Sequence, residues 1–517
     1  MVQPKERHEQ VRSDLRGVTA AADDEARRVS GRPVRTPWWF ELAPVFLVAG
    51  VAGVVLLVGS RHYGYFFDEA YFVVAGRDHP AWGYFDQPPM VPMLARVMSM
   101  VAPDSLVALR LPVTLAAVGG IIVTGLIARE LGGGRGAQAM AALGYAMSAA
   151  VVLCHWLATY SLDPLFWTVI VWLVVRWVRL HARGAADDRL LLAAGLVTAL
   201  SLQTKFLVPA LWVALAVGVL IFGPRRMLTR PMLWAGLAVA ALATVPTLMW
   251  QARNGWPYTR MSDVVAAESP GVGKFLLDSA TSAGIAFGLP LLLIGMVALF
   301  VDKRFRDYRF ATAASVIVVV AFLLSSGRSN YVVGLYALPM AAGAVVVCSL
   351  RWRAVVRPLA AVAAVAGVAL WITAVPVYPR SWAERIPDIP MVLTAKDFAA
   401  ADTMMADLSA VVTDAYHQLP PEARGRTAIV AESYPFAAAV DIDRAHTGLP
   451  RAYSAHRGYY YFGHPDDDAV DILYLGSPTP LLAASFTEAR PAIPDLATLY
   501  TGRKLSWDEL WPQLRAQ

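Results

Sequence analysis

Long apolar runs separated by short polar segments fill the chain between residues 37 and 378. The first, Trp39 to Gly59, has the ~20 residues that an α-helix needs to cross a ~30 Å hydrocarbon core. Ten more follow near 107–128, 137–154, 164–180, 190–204, 206–222, 232–249, 281–301, 310–326, 331–349 and 359–377. The pattern predicts an α-helical polytopic membrane protein with about 11 transmembrane helices, the two that flank Lys205 being close-set. Residues 1–36 are polar and mixed in charge, and they read as a disordered tail because they bury too little apolar surface to offset ordering. With that polar lead and no small-residue cleavage site after it, the first run reads as a span rather than a secretory signal. Beyond residue 378 the texture changes to Pro-rich junctions, short β-like runs (RTAIVAESY, DILYLGS) and polar stretches with helical spacing. Residues 379–517 are therefore expected to form a small α/β domain.

Composition agrees: 57% of the 517 residues are hydrophobic and only 16% are charged, too apolar for a soluble chain of this length. The net charge of +6 is unevenly divided. Residues 1–36 carry eight basic against six acidic side chains, residues 37–378 carry 25 against 15, and residues 379–517 carry 12 against 18. A nucleic-acid binder would concentrate its basic residues on one soluble face, so no nucleic-acid partner is expected. Sixteen of the 25 basic residues of the middle segment sit in alternate short loops, those holding Arg129/Arg135, Arg176 to Arg189, Arg225 to Arg230, Lys303 to Arg309 and Arg351 to Arg357. The positive-inside rule places these loops and the N-terminus in the cytoplasm. Eleven spans then put the acidic C-terminal domain outside the cell membrane, as an extracytoplasmic α/β domain. Cys154 and Cys348 fall near opposite membrane faces in this topology, which leaves no disulfide framework.

The polar residues that interrupt the apolar pattern gather on the outer side. The first outer loop, 60–105, begins RHYGYFFDEAYFVVAG, where Asp68 and Glu69 are either a general base and its neighbour or acids at the start of an interfacial helix. Asp86-Gln87-Pro88-Pro89 is either a second acidic site or a rigid turn before another helix. Asp163 and Lys205 lie at membrane depth, where ionisable groups are costly and mark function; the plainer readings are a helix cap before Pro164 and a snorkelling lysine. Arg328 and Tyr331 in GRSNYVVGLYALP, and Asn254 and Trp256 in WQARNGWP, are on the same side. Aromatics there serve as a membrane-interface belt or as a platform for sugar.

Taken together, FFDEAYF, GYFDQPPMVPMLARV, LATYSLDPLFW, LQTKF, WQARNGWP and GRSNYVVGLYALPMAAGA resemble the polyprenyl-phosphate-sugar-dependent membrane glycosyltransferases of the protein mannosyltransferase and aminoarabinose transferase type, with the GT-C fold. The likeness runs over about residues 60–515, including AESYPFAAAVDI, GLPRAYSAHRGYYYFG and KLSWDELWPQL. It implies transfer of a sugar, mannose or a pentose, from a polyprenyl-phosphate donor to a glycan, lipid or protein acceptor of the cell envelope at the outer face of the lipid bilayer. It makes Asp68 the catalytic base with Glu69 beside it, and Asp163 an acid near acceptor or sugar. Lys205 and Arg328 become cations at the lipid phosphate with Tyr331 alongside, and Asp86, Gln87, Asn254 and Trp256 substrate-binding residues. Gln87 stands where many relatives have His, which argues against a His-dependent metal site; no cofactor is specified, and a divalent cation is left open. The resulting reading is an inverting glycosyltransferase. The alternative is a transporter or flippase of the same lipid-linked sugar.

The charge pattern makes a direct prediction about sidedness. In intact cells a cysteine placed at Asp466 should react with an impermeant thiol reagent above the background of Cys154 and Cys348, and one placed at Arg304 should not. Reversed labelling would invert the topology.

Overall fold

The computed structural model describes residues 41–351, 353–388 and 393–515, so the expected N-terminal tail lies outside the described residues. Each of the apolar runs is helical. Helix α1 is Ala43–Gly59, and two short helices of the loop that follows it are α2 (Phe67–Asp78) and α3 (Met90–Val101). Next come α4 (Leu106–Glu130), α5 (Arg135–Ala146), α6 (Thr159–Ala182), α7 (Arg189–Leu202), α8 (Val208–Phe222) and α9 (Pro231–Arg253). Two small helices, α10 (Met261–Ala267) and α11 (Val272–Thr281), precede α12 (Gly288–Val301), α13 (Arg309–Leu324), α14 (Ala337–Ser349) and α15 (Arg353–Ala374). Among the described residues five helices are long and apolar enough to cross a membrane, or seven if each of two bent pairs counts as one span; the remaining apolar helices are shorter. The bends are 62° between Arg135–Ala146 and Ala149–His155 and 53° between Ser329–Leu335 and Ala337–Ser349.

Wide apolar faces point away from the protein. On α15 Leu359, Val362 and Val365 are all more than 60% exposed, a surface that acyl chains and not water would cover. On α3 Met93, Val97, Met100 and Val101 form an outward stripe at helical spacing, the pattern of a helix lying along an interface. Within the bundle small residues allow close approach. A Cβ on Gly195 of α7 would stand 2.3 Å from the backbone of Gly236 on α9, so the two helices touch backbone to backbone.

Helices α4 and α6 run side by side in the same direction, paired by charge at one end and linked through Glu69 of α2 at the other. At the far end Glu130 pairs with Arg176 (2.9 Å) and Arg179 (2.5 Å). At the near end Arg110, fully buried, grips Glu69 of α2 through Nη2–Oε2 at 2.7 Å and Nε–Oε1 at 3.1 Å. Its remaining N–H groups go to the carbonyls of Ser60 (3.2 Å), Tyr63 (3.3 Å) and Gly64 (2.6 Å), and Glu69 Oε1 also accepts from Leu157 N at 2.8 Å. One ion pair thus shapes the α1–α2 connection and fixes the entry of α6.

The C-terminal part holds α16 (Ala395–His417), α17 (Tyr434–Ile442) and a five-stranded sheet. Its strands are β1 (Thr427–Ala431), β2 (Ala452–Ser454), β3 (Asp471–Leu475), β4 (Phe486–Ile493) and β5 (Ala497–Arg503). The order is β2-β1-β3-β5-β4, parallel for β2-β1-β3 and antiparallel for the β3-β5-β4 edge. Strands β1 and β3 lie within the β-like runs of the sequence, and both are buried along their length, as a parallel core requires. Helix α17 packs against α2. Arg77 of α2 donates to the Asp441 carbonyl at 2.8 Å, and Asp78 pairs with Arg444 at 3.3 Å.

Replacing Arg110 with Met would strand the Glu69 carboxylate in the interior, a change that costs ~3–5 kcal/mol for a buried pair. A large fall in thermal midpoint in detergent is expected, with part of it recovered when Glu69→Gln is added. An unchanged midpoint in the single variant would show that the pair does not hold the loop.

Candidate functional site

The two acids at the start of α2 have separate fates. The helix is capped at Phe66 without any side-chain bond, so neither Asp68 nor Glu69 caps it. Glu69, expected beside Asp68 in the site, is instead buried on Arg110 with no exposed surface and cannot meet a substrate. Asp68 is half-buried, and its Oδ1 accepts a 2.7 Å hydrogen bond from Tyr434 Oη, 366 residues away at the start of α17. One helical turn along α2, Tyr71 Oη donates to Asp86 Oδ1 at 3.2 Å. The rings of Tyr71 and Tyr434 meet edge to face with centroids 5.4 Å apart, so two touching tyrosines hold two carboxylates. Burial pushes the Tyr434 hydroxyl well above its usual range and the Asp68 charge adds to this, so Tyr434 stays protonated and donates. Burial likewise pushes Asp86 up to about 6; a backbone hydrogen bond opposes the shift and the charge of Asp68 reinforces it. Gln87 is almost fully buried, and its Nε2 meets no acceptor among the described residues.

The cations face this acidic pair. Lys205 lies in the turn between α7 and α8, and its ammonium sits 4.4 Å from the centre of the Tyr331 ring, so it turns inward and does not snorkel. It stands within electrostatic reach of Asp163, Arg328, Asp68 and Asp86. Asp163 does not cap α6, which begins four residues earlier at Thr159; it accepts a hydrogen bond from Ser201 of α7 at 2.8 Å. Arg328 precedes the short turn Ser329–Leu335 and is ion-paired with Glu268, whose carboxylate also holds Arg457. The expected substrate-binding pair after α9 does not join the cluster. Asn254 spends its Nδ2 on the Trp250 carbonyl at 2.8 Å and ends the helix, and Trp256 is 48% exposed. The neighbouring Tyr258 does join: its ring meets Phe206 edge-on at 4.9 Å, and it lies within electrostatic reach of Tyr331, Asp86 and Asp163. Among the described residues no three His, Cys, Asp or Glu side chains converge to hold a metal ion, and both cysteines are free.

The residues that sequence reasoning missed come mostly from the sheet. Tyr434 follows β1, and His456 and Arg457 follow β2, which is parallel to β1. The carboxyl ends of parallel strands emerge on one edge, where such sheets present their ligands. His456 stacks on the Tyr434 ring, centroids 5.5 Å apart, and its Nδ1 accepts from Tyr434 N at 3.2 Å, so Tyr434 is oriented from behind. Gly458 lets this turn close on α2, since a Cβ there would fall 1.9 Å from Tyr71 Oη. The motif AESYPFAAAVDI and the run HRGYYYFG carried a visible signal, but nothing local tied them to Asp68.

Residues 86–250 match a family model described as dolichyl-phosphate-mannose-protein mannosyltransferase. No curated protein matches this chain. The structure is similar to crystal structures of ArnT from Cupriavidus metallidurans. In the form bound to undecaprenyl phosphate the identity is 17% and the TM-score 0.56, with 89% of this chain and 98% of that chain covered. In the apo form these are 18%, 0.57, 88% and 97%. The archaeal oligosaccharyltransferase AglB from Archaeoglobus fulgidus matches at 12% identity and a TM-score of 0.46 over 85% of this chain and 70% of that one. The chain has the GT-C fold. Its matched family segment runs from Asp86 to Trp250 in the last turn of α9, so it contains Asp163 and Lys205, whereas Asp68, Arg328 and the residues that follow the strands lie outside it.

The position of Asp86 has a pH signature. Its folded-state value lies above the ordinary carboxylate value, so the folded chain binds more protons than the unfolded chain between about pH 4 and 6. Ionising Asp86 therefore costs stability as pH rises through that window, and the whole cost is present above it. Asp86→Asn should raise the thermal midpoint over wild type above pH 6 and lose that gain toward pH 4. A gain that does not vary with pH would mean the carboxyl is not strained.

Proposed function

We propose that this protein is a membrane glycosyltransferase that moves a sugar from a polyprenyl-phosphate carrier to an acceptor of the cell envelope, with inversion and Asp68 as general base. The observation that carries this reading is the convergence of Asp68, Asp86 and Asp163 on Lys205, with Arg328 alongside and Tyr434 of α17 on Asp68, in a helical scaffold with broad apolar surfaces. Acids and cations facing one another suit a displacement that takes a proton at one end and releases an anion at the other. Asp68 takes the proton of the acceptor hydroxyl while the acceptor oxygen bonds to the anomeric carbon. The bond from that carbon to the phosphate oxygen breaks on the opposite face, and polyprenyl phosphate leaves with one more negative charge. A single displacement inverts the centre. Lys205 and Arg328 meet the charge that grows on the phosphate, which matters more in the transition state than in the bound donor. The glycosyl phosphate is already activated, so positioning supplies much of the remaining acceleration. Tyr434 keeps Asp68 aimed, Glu69 anchors the turn that carries it, and Asp163 with Ser201 orients the substrate beside Lys205.

In this reading residues 37–378 form the transmembrane glycosyltransferase domain with about eleven spans, and residues 379–517 form an extracytoplasmic domain that closes over the site. The family segment and the undecaprenyl phosphate held by the similar ArnT structure support the donor class. The two bent helix pairs favour a second reading, a flippase for the same lipid, since broken helices are a transporter device.

Asp68→Asn should lower transfer by ~10²–10⁴ with little loss of donor binding, because it removes a proton acceptor at nearly constant volume. Lys205→Met and Arg328→Gln should slow turnover more than they weaken donor binding. The measurement is turnover and donor affinity in detergent with a synthetic polyprenyl-phosphate sugar. Asp68→Asn activity within a few-fold of wild type would remove the base assignment. Donor binding without transfer, across a panel of sugars and acceptors, would leave the flippase.

A further inference from the structure

Arg328 is a cation that already holds an anion. Glu268 gives one carboxylate oxygen to Arg328 Nη2 and the other to Arg457 Nη2, so a single carboxylate bridges two guanidiniums. The three residues come from distant stretches. Glu268 ends α10, in the segment between α9 and α12; Arg328 follows α13; Arg457 opens the turn after β2. Two guanidiniums aimed at one pair of anionic oxygens are the arrangement with which proteins grip phosphate.

The two sides of this contact are built differently. Arg457 is rigid. Its backbone is left-handed (φ 49°), a conformation that is strained for a non-glycine residue and persists only where the surroundings enforce it. Its guanidinium carbon lies 5.5 Å from the centre of the Tyr434 ring, its side chain is only 16% exposed, and Gly458 seats the turn on Tyr71. Glu268 is loosely held. Its side chain is 42% exposed, and in α10 only Val265 is buried. Burial alone would raise the Glu268 carboxyl, but Arg457 and Arg328 outweigh it and hold the group below the ordinary range, so it stays charged. A strained arginine kept in place to hold a water-exposed carboxylate on a loosely packed helix has little stability rationale, because water screens the carboxylate's side of the pair.

We infer that Arg328 and Arg457 form a two-arginine clamp for the phosphate of the lipid donor, and that Glu268 is its internal occupant, displaced when the donor binds. This rests on the assignment of Arg328 to the donor phosphate under Proposed function and adds a cation from the C-terminal region and a competing carboxylate. Release of Glu268 frees α10 from both arginines, so an empty site is shut by the segment that a bound phosphate opens. Because Arg457 lies on Tyr434, and Tyr434 donates to Asp68, the occupant of the clamp sits one ring away from the proposed base.

The test is binding of synthetic polyprenyl monophosphate to the full-length protein in detergent, which needs no sugar transfer. Removing the competitor with Glu268→Gln should tighten binding by about 3–10-fold, the factor that the loss of an exposed ion pair of ~1 kcal/mol allows. Arg457→Gln should weaken it about tenfold or more, and Arg457→Lys, which keeps the charge with little disturbance of the fold, should recover part of the loss. Hydrogen exchange in residues 261–268 should quicken on adding the lipid to wild type and be fast beforehand in Glu268→Gln. Opposite signs for the two neutralised variants are the mark of a competitor, since a merely structural triad would lose affinity on either side. Unchanged or weakened binding in Glu268→Gln overturns the displacement. Unchanged binding in Arg457→Gln alongside a loss in Arg328→Gln overturns the clamp while the donor assignment stands. No binding by wild type would remove both.

Discussion

A carboxylate and a guanidinium leave water only when their charges and hydrogen-bonding groups find partners, and Glu69 with Arg110 meets that demand inside this protein. Arg110 reaches Glu69 and three carbonyls of the α1–α2 connection, and Glu69 also takes the Leu157 amide at the entry of α6. Three strands of chain are therefore locked at the base of the site by one pair. The consequence for chemistry is indirect but strict. With Glu69 anchored downward, the preceding residue on the same helix turn, Asp68, is directed elsewhere and can meet Tyr434. Neighbouring acids thus divide into one that anchors the loop and one that meets Tyr434.

The second constraint is the parallel pairing of β1 with β2, which sends Tyr434, His456 and Arg457 out of one sheet edge. These residues stack and bond among themselves, so they reach the helices as a preformed surface. Helix α2 receives them through Tyr71, whose hydroxyl leaves room only for glycine at position 458. The C-terminal region is therefore a wall of the site. Preorganisation of this kind lowers the entropy that substrate binding must otherwise offset.

Around this polar centre the bundle follows other rules. Its outward faces are apolar, its helix contacts use glycine for close approach, and two of its charge pairs sit at opposite ends of α4. Charges at helix ends and apolar surface between them suit a bilayer, where an unpaired charge is costly at mid-depth.

Much of this was legible in the amino-acid order, because hydrophobicity and chain length act locally. A long apolar run satisfies its backbone most simply as helix, and the described part of each of the eleven runs is largely helical; the β-like runs around Thr427 and Asp471 became strands for the same local reason. Asp68, Asp86, Asp163, Lys205, Arg328 and Tyr331 stood out because a charge or aromatic in apolar surroundings is rarely neutral in cost. Which acid meets Tyr434 and which anchors could not be read, since the difference lies in what stands opposite Asp68 and Glu69, and those partners are 366 and 41 residues away. For the same reason Asn254 and Trp256 looked like site residues until the end of α9 turned one into a cap and the other outward. Tyr434, Arg457 and Glu268 depend on strand pairing and on a contact between distant segments. Local sequence sets what each segment can bury. The partner that each buried charge finds is a property of the folded chain, because only tertiary packing decides which of many opposite charges is near enough to replace water.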